Sequence, residues 1–124
     1  MRLIFWKALM GLLAFDLLLW ARGFSSMHRT VRLWKVVKNG HLAADIEAVC
    51  QAVNRACVWY PKPVLCLQRS AVTTCLLRGC GVPAQMVIGA QRLPFQAHAW
   101  VEVAGHPVNE KRDVRTIYGV WERC

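Results

Sequence analysis

One cysteine occupies a position that favours nucleophilic chemistry. Of the six cysteines, only Cys66 directly follows a proline break and falls at the predicted start of a helix. The positive end of a helix dipole stabilises a thiolate, and the unpaired amides of the first turn can donate to an oxyanion. Cys66 is therefore the candidate nucleophile, with a buried and unreactive cysteine as the alternative.

One histidine has a context that suits a general base. His28 and His41 lie in a polar connector and His106 follows a turn glycine, so each is interpreted as a solvated residue. His98 lies instead in a strand pattern, with apolar neighbours on both sides. If the helix that begins at Cys66 packs across this strand, His98 could take the thiol proton and later return it.

A histidine base needs a third group that fixes its tautomer and orientation. The strand that returns after the next turn offers Glu110 and Asp113, with Asn109 adjacent, as residues that antiparallel pairing would bring opposite His98. The side chain of Glu102 lies on the same face of the strand as that of His98 but does not point towards the imidazole. Glu102 is therefore predicted to be a surface charge. The choice among the three candidates stays open.

Metal binding is the competing role for these side chains. Cys66, Cys80, His98 and His106 lack the close ligand pairing of zinc sites, and no two cysteines are separated by two residues. The sequence therefore predicts neither a metal nor a cofactor.

The hydrophobic pattern predicts the elements that position these residues. Apolar residues at steps of three and four indicate an amphipathic helix over residues 41–60, which Pro61 and Pro63 end, and a second helix from Cys66 to Gly79. Short β-branched or alternating segments predict strands at 84–90, 97–105, 106–110 and 117–122. Helices followed by a small antiparallel sheet indicate the α+β class, with one helix packed on the sheet.

The composition limits the class of protein. The chain has 124 residues, of which 56% are hydrophobic, and a net charge of +9, so one domain with an adequate core is expected. The charge suits a polyanion, a membrane surface or an acidic peptide, but no nucleic-acid-binding motif accompanies it, so nucleic acid is not a predicted partner. The cysteine spacing gives no disulfide framework and predicts a reducing, cytoplasmic location.

The first twenty residues form an apolar run. Lys7 and Asp16 divide it below the roughly 18 uninterrupted apolar residues of a membrane span, and no signal cleavage pattern follows Trp20. We interpret residues 1–40 as an apolar helix and basic connector that form a docking segment, with membrane association as the less favoured reading. Residues 41–124 are predicted to form the catalytic domain.

The residues around the candidate pair resemble a known family. The segment CLQRSAVTTCLLRGCGVPAQMVIGA, followed by FQAHAWVEVAGHPVNE, is similar to the transglutaminase-like cysteine peptidases of lasso-peptide biosynthesis, the microcin-processing leader peptidases. This resemblance implies a reduced papain-like core in which Cys66 is the nucleophile and His98 the base. Glu110 falls where the family usually has an orienting aspartate, and since glutamate has a longer reach, Asp113 and Asn109 stay alternatives.

The resemblance implies hydrolysis of the peptide bond between the leader and the core of a ribosomally made precursor. It implies the stand-alone form of the peptidase, because residues 1–60 lack the strand pattern of a leader-recognition domain. The expected partners are the precursor peptide, a separate leader-recognition protein and an ATP-dependent lasso cyclase. Two alternatives stay open: a transglutaminase-like acyl transferase that uses the same residues, and a non-catalytic peptide- or membrane-binding module.

Overall fold

The computed structural model describes residues 2–36, 46–91, 96–108 and 118–124. Within these ranges, helices precede a four-stranded antiparallel sheet, so the predicted α+β class is confirmed. The helices are α1 (Arg2–Arg22), α2 (Phe24–Leu33), α3 (Ile46–Trp59) and α4 (Cys66–Gly79). The strands are β1 (Ala84–Gln91), β2 (Gln96–Val103), β3 (His106–Pro107) and β4 (Gly119–Arg123).

The sheet has the strand order β3-β2-β1-β4, with long pairing between β1 and β2. In that pairing Gly89 lies opposite His98, and the β1–β4 register shifts between Ile88 and Gly89. A Cβ atom at Gly89 would lie 2.6 Å from the Trp100 ring and 2.9 Å from the carbonyl oxygen of Gly119. Glycine at this position therefore allows both β4 and the indole to approach β1 closely.

Helix α4 lies at the centre of the molecule. It packs on β1 and β2 with one side, and α1, α2 and α3 contact it as well. Nine of its residues are consequently buried, including the polar Gln68, Ser70, Thr73 and Thr74. The helix that begins at Cys66 is thus held between the sheet and the other helices, as the predicted packing of a helix on the sheet requires.

Helix α1 includes Lys7 and Asp16, the two charges that interrupt its apolar run. Asp16 is half-buried, accepting a hydrogen bond from Tyr60 Oη at 3.0 Å and pairing with Lys62 Nζ at 3.0 Å. The hydrogen bond from Lys62 is the main cause that lowers the pKa of Asp16. The stretch Ile4–Arg22 is long and apolar enough to cross a membrane by length and composition, a test that a buried core helix and a signal sequence also pass.

The two sides of α1 have different surroundings. One side contributes Ala8, Leu12 and Phe15 to the same core as α2, α3 and α4. The opposite side leaves a row of large apolar side chains exposed: Trp6, Met10, Leu13, Leu17 and Trp20. Residues described within 1–40 are therefore packed with the rest of the fold, and the predicted boundary after residue 40 lies outside the described residues.

A buried arginine ties four parts of the chain together. From the last turn of α4, Arg78 Nε donates to the carbonyl oxygen of Ala84 at 2.9 Å, and Nη2 donates to that of Cys124 at 2.7 Å. Its Nη1 donates to the carbonyl oxygens of Val31 and Trp34. Since the carbonyls belong to the end of α2, the start of β1 and the last residue, Arg78 fixes these segments against α4.

Replacing Arg78 with methionine should destabilise the fold strongly. Methionine fills a similar volume but leaves the buried carbonyl oxygens without their donor, so we expect the free energy of unfolding to fall by about 3–5 kcal/mol. Urea denaturation followed by circular dichroism measures the change. Arg55→Met, on the exposed side of α3, is the matched control and should shift stability by less than about 0.5 kcal/mol. Equal losses in the two variants would contradict this role for Arg78.

Candidate active site

The candidate nucleophile is the first residue of α4, as predicted. Leu65 precedes it in extended conformation as the N-cap, and no side chain caps the helix. The first intrahelical hydrogen bond of this turn runs from the Arg69 amide to the Leu65 carbonyl. The amides of residues 66–68 have no acceptor one turn earlier in the helix. Cys66 therefore lies beside backbone donors that could face an oxyanion.

Cys66 and His98 line one cavity. It has a volume of about 300 Å³ and lies where the start of α4 meets the first half of β2. Both side chains are half-buried. The structure thus places the candidate nucleophile and the candidate base at one cavity, although 32 positions separate them in the chain. Alternation along β2 puts the His98 side chain on the face of Trp100, while Ala99 lies on the face that packs on α4.

A buried hydrogen bond joins the two elements at this point. Ser70 Oγ donates to the carbonyl oxygen of Ala99 at 3.0 Å. Ser70 lies one helical turn after Cys66, and Ala99 is the neighbour of His98. This bond therefore fixes the start of α4 against β2. Sequence reasoning missed it, and its only signal was a serine inside a helix that must find a partner when buried.

Two aromatic rings hold the imidazole of His98. Its centroid lies 5.3 Å from that of Tyr118 at an interplanar angle of 31°, and 6.0 Å from that of Trp100 at 26°. The Trp100 and Tyr118 rings are 6.2 Å apart and belong to a separate apolar cluster with Val87. Stacking of this kind restricts rotation of the imidazole. No pattern in the sequence pointed to this role of Tyr118.

The prediction that Glu102 is a surface charge is wrong. Its side chain is fully buried, accepting a hydrogen bond from Trp100 Nε1 at 2.9 Å. Arg123 Nε donates to its other oxygen at 3.3 Å, reaching across β1 from β4. The ion pair and the indole together compensate the buried carboxylate. Glu102 is therefore a support for the Trp100 ring that stacks on His98.

The remaining predicted candidates lie elsewhere or outside the described residues. Glu110, Asp113 and Asn109, the alternatives for the third group, fall outside the described ranges and stay predictions, as does His41. The interpretation of His28 as a solvated connector residue is wrong, because it lies half-buried on α2, whereas His106 is exposed on β3 as expected. Among the described residues, no group of three or more His, Cys, Asp or Glu side chains is placed to hold a metal ion.

Two other cysteines, Cys50 and Cys75, are buried in the apolar interior of the helices, and Cys57 is half-buried there. All six cysteines are free thiols. Burial raises the pKa of Cys50 to about 11 and that of Cys75 to about 12, and it also raises the pKa of Cys57. These thiols are therefore protonated at neutral pH and unsuited to nucleophilic attack.

The chain is similar to known proteins in two respects. The family model described as the transglutaminase-like superfamily matches residues 9–122. This chain belongs to the transglutaminase-like superfamily. The match covers most of the chain, so most of α1, all of α2 and nearly all of the sheet fall within the family's region. The predicted family resemblance is thereby confirmed.

Among curated proteins, the microcin J25-processing protein McjB of Escherichia coli is 36% identical over 50 residues. The alignment covers 40% of this chain and 24% of that protein, so it spans about a quarter of the relative's length. No solved structure matches the chain.

Cysteine alkylation in the folded protein should be selective. At pH 8, the thiolate fraction of Cys50 should be about a hundredfold lower than that of a thiol with the usual pKa of 9.0. The thiolate fraction of Cys75 should be about a thousandfold lower. We therefore expect iodoacetamide to modify Cys66, which lines the open cavity, long before these two. Peptide mapping by mass spectrometry after timed quenching measures the rates, and denaturation in urea should remove the difference.

The same raised pKa values predict a loss of stability in alkali. The unfolded chain loses the Cys50 and Cys75 protons near pH 9, whereas the folded state keeps them to about pH 11 and 12. The contribution of these two protonated thiols to the free energy of unfolding is complete below pH 9. It is lost as the pH rises from 9 towards 11 and 12. Denaturation midpoints measured from pH 7 to 11 should fall above pH 9 in the wild type and fall less steeply in Cys75→Ala. A parallel decline in the two proteins would contradict the assignment.

Proposed function

We propose that this protein is a cysteine peptidase that removes the leader from a lasso-peptide precursor. The observation that carries the proposal is the shared cavity of Cys66 and His98, at the start of a helix that is bonded to the histidine's strand. Membership of the transglutaminase-like superfamily and the similarity to a microcin-processing protein support a peptidase-like role in lasso-peptide processing. The assignment of catalytic roles and of leader removal is the proposal.

The proposed mechanism begins with proton transfer. His98 takes the proton of the Cys66 thiol, and the thiolate attacks the carbonyl carbon of the scissile bond. The resulting oxyanion faces the free amides at the start of α4, where the helix dipole also favours negative charge. When the intermediate collapses, the C–N bond breaks and the protonated His98 gives its proton to the departing amine of the core peptide.

Hydrolysis then regenerates the enzyme. His98 takes a proton from water, whose oxygen attacks the thioester carbon, and the thiol leaves with that proton. The products are a leader with a free carboxylate and a core peptide with a free amine. Glu110, or alternatively Asp113 or Asn109, is proposed to orient the imidazole, while the rings of Tyr118 and Trp100 restrain it from the side.

The acyl-transferase alternative uses the same covalent intermediate but a different acceptor. The superfamily match supports this alternative, because an amine in place of water would turn hydrolysis into amide formation on the same Cys-His pair. The two reactions differ in product mass. After hydrolysis, the masses of the two products sum to the mass of the precursor plus one water. After transfer, the acyl fragment instead has the added mass of the accepting amine.

The proposed partners are the precursor, a separate protein that recognises its leader, and an ATP-dependent cyclase that uses the freed amine. The exposed apolar row of α1 supports a docking role, because contiguous apolar surface of this kind typically marks an interaction site. A cytoplasmic location stays a prediction.

Substitution of the catalytic pair tests the proposal directly. Cys66→Ala should abolish cleavage of the precursor, and His98→Ala should slow it by about 10²–10⁴-fold, because the thiol then lacks its base. Mass spectrometry of the precursor after incubation with each variant and the recognition protein measures the effect. His106→Ala, an exposed histidine on β3, is the control and should cleave at the wild-type rate. Undiminished cleavage by Cys66→Ala would exclude the peptidase mechanism.

Ser70→Ala tests the bond that positions the pair. The variant loses a buried hydrogen bond, so we expect a stability loss of about 1–2 kcal/mol and a fall in kcat of about tenfold or more, with KM little changed. The control is Thr73→Ala, whose hydroxyl donates only to the Arg69 carbonyl within α4. It should lose a similar stability and keep kcat. If both variants reduce kcat equally, Ser70 has no specific positioning role.

A further inference from the structure

The cavity beside Cys66 and His98 is walled by apolar side chains. Apart from these two, its described lining consists of Phe24, Leu67, Ile88, Ala97 and Ala99. No charged side chain is among these lining residues. The cavity is open to solvent on one side, and its volume of about 300 Å³ is at the lower end of the range for ligand pockets.

The space exists because β2 carries small side chains where it faces α4. Ala97 and Ala99 alternate with His98 along the strand, so both lie on its other face. Ala99 is buried beside the Ser70 hydroxyl, while Ala97 is exposed at the open end. A larger residue at Ala97 would fill the space next to the thiol.

One lining residue of the cavity comes from α2. Gly23, with φ 82°, turns the chain between α1 and α2, a conformation that residues with a Cβ rarely adopt. The turn brings Phe24, the first residue of α2, to the cavity, where its ring lies 5.6 Å from that of His28. Phe24 is 45% exposed, so its ring is available to a bound molecule.

We propose that this cavity is a subsite for one aliphatic or aromatic side chain of the peptide, on a residue adjacent to the scissile bond. The proposal rests on the proposed function, which places the reacting carbonyl at Cys66. An apolar side chain entering the cavity would leave water for contact with Phe24, Leu67 and Ile88, and each buried methylene improves binding by about fourfold. A charged side chain would lose its hydration there without a compensating partner in the described lining.

Alkylation of Cys66 tests the subsite without requiring peptidase activity. The probes are N-methyl-iodoacetamide and N-butyl-iodoacetamide, which form the same S–C bond with loss of iodide and differ only in their apolar chain. Relative to their rate ratio on glutathione, we expect the butyl probe to be favoured about tenfold or more at Cys66, with saturation at high probe concentration. An unchanged ratio would overturn the subsite.

Two variants show whether the preference comes from the cavity. Ala97→Phe, at an exposed strand position, should fill the space and return the ratio to that of glutathione. Gln85→Phe places the same ring at an exposed position of β1 outside the cavity lining and should keep the wild-type ratio. A preference that survives in Ala97→Phe, with both variants folded by circular dichroism, would overturn the proposal.

The precursor itself provides the second arm of the test. In the wild type, an aspartate in place of the apolar residue next to the cleavage site should raise KM by about tenfold or more. Tolerance of aspartate at every residue flanking the cleavage site would overturn the subsite while leaving the peptidase intact. Conversely, a butyl preference that Ala97→Phe removes, in a protein that cleaves no precursor, would support the subsite and overturn the proposed function.

Discussion

The hydrogen bond between the Ser70 hydroxyl and the Ala99 carbonyl joins the two elements on which the site depends. It fixes the helix that begins at Cys66 to the strand that carries His98, at the level of the cavity. At the other end of the same helix, Arg78 binds carbonyls of α2, β1 and the last residue. Helix α4 is thus held by polar contacts at both ends, while its apolar side chains, which pack without directional preference, fill the space between.

The sheet uses its two faces for different purposes. One face packs on α4 and belongs to the main core, which fixes where the strands lie. The other face carries His98, Trp100 and Glu102 in alternation, with Tyr118 and Arg123 contributed by the end of the chain. The buried ion pair of Glu102 and Arg123 orients the indole, and the indole with Tyr118 restrains the imidazole. The histidine is therefore positioned by a polar and aromatic network that the main core does not contain.

The sequence predicted what depends on local pattern and missed what depends on distant partners. Paired prolines followed by helical spacing located the start of α4 at Cys66, and alternation located β2 around His98. Alternation also placed Glu102 on the face of His98, but it could not show that Arg123, 21 residues later, would compensate a buried carboxylate there. Asp16 was interpreted as a break in an apolar run for the same reason, because its partners come from the segment after α3.

The close approach at Gly89 limits how this site can change. Any side chain at Gly89 would collide with Trp100 and with the backbone of Gly119. This position of β1, next to the residues that restrain His98, therefore requires glycine. The walls contributed by Phe24 and Leu67 carry no such restriction. A protein built in this way can acquire new peptide preferences by substitution of residues on its helices, while the strands that hold the imidazole stay constant. Directed evolution of its selectivity should therefore begin at Phe24 and Leu67.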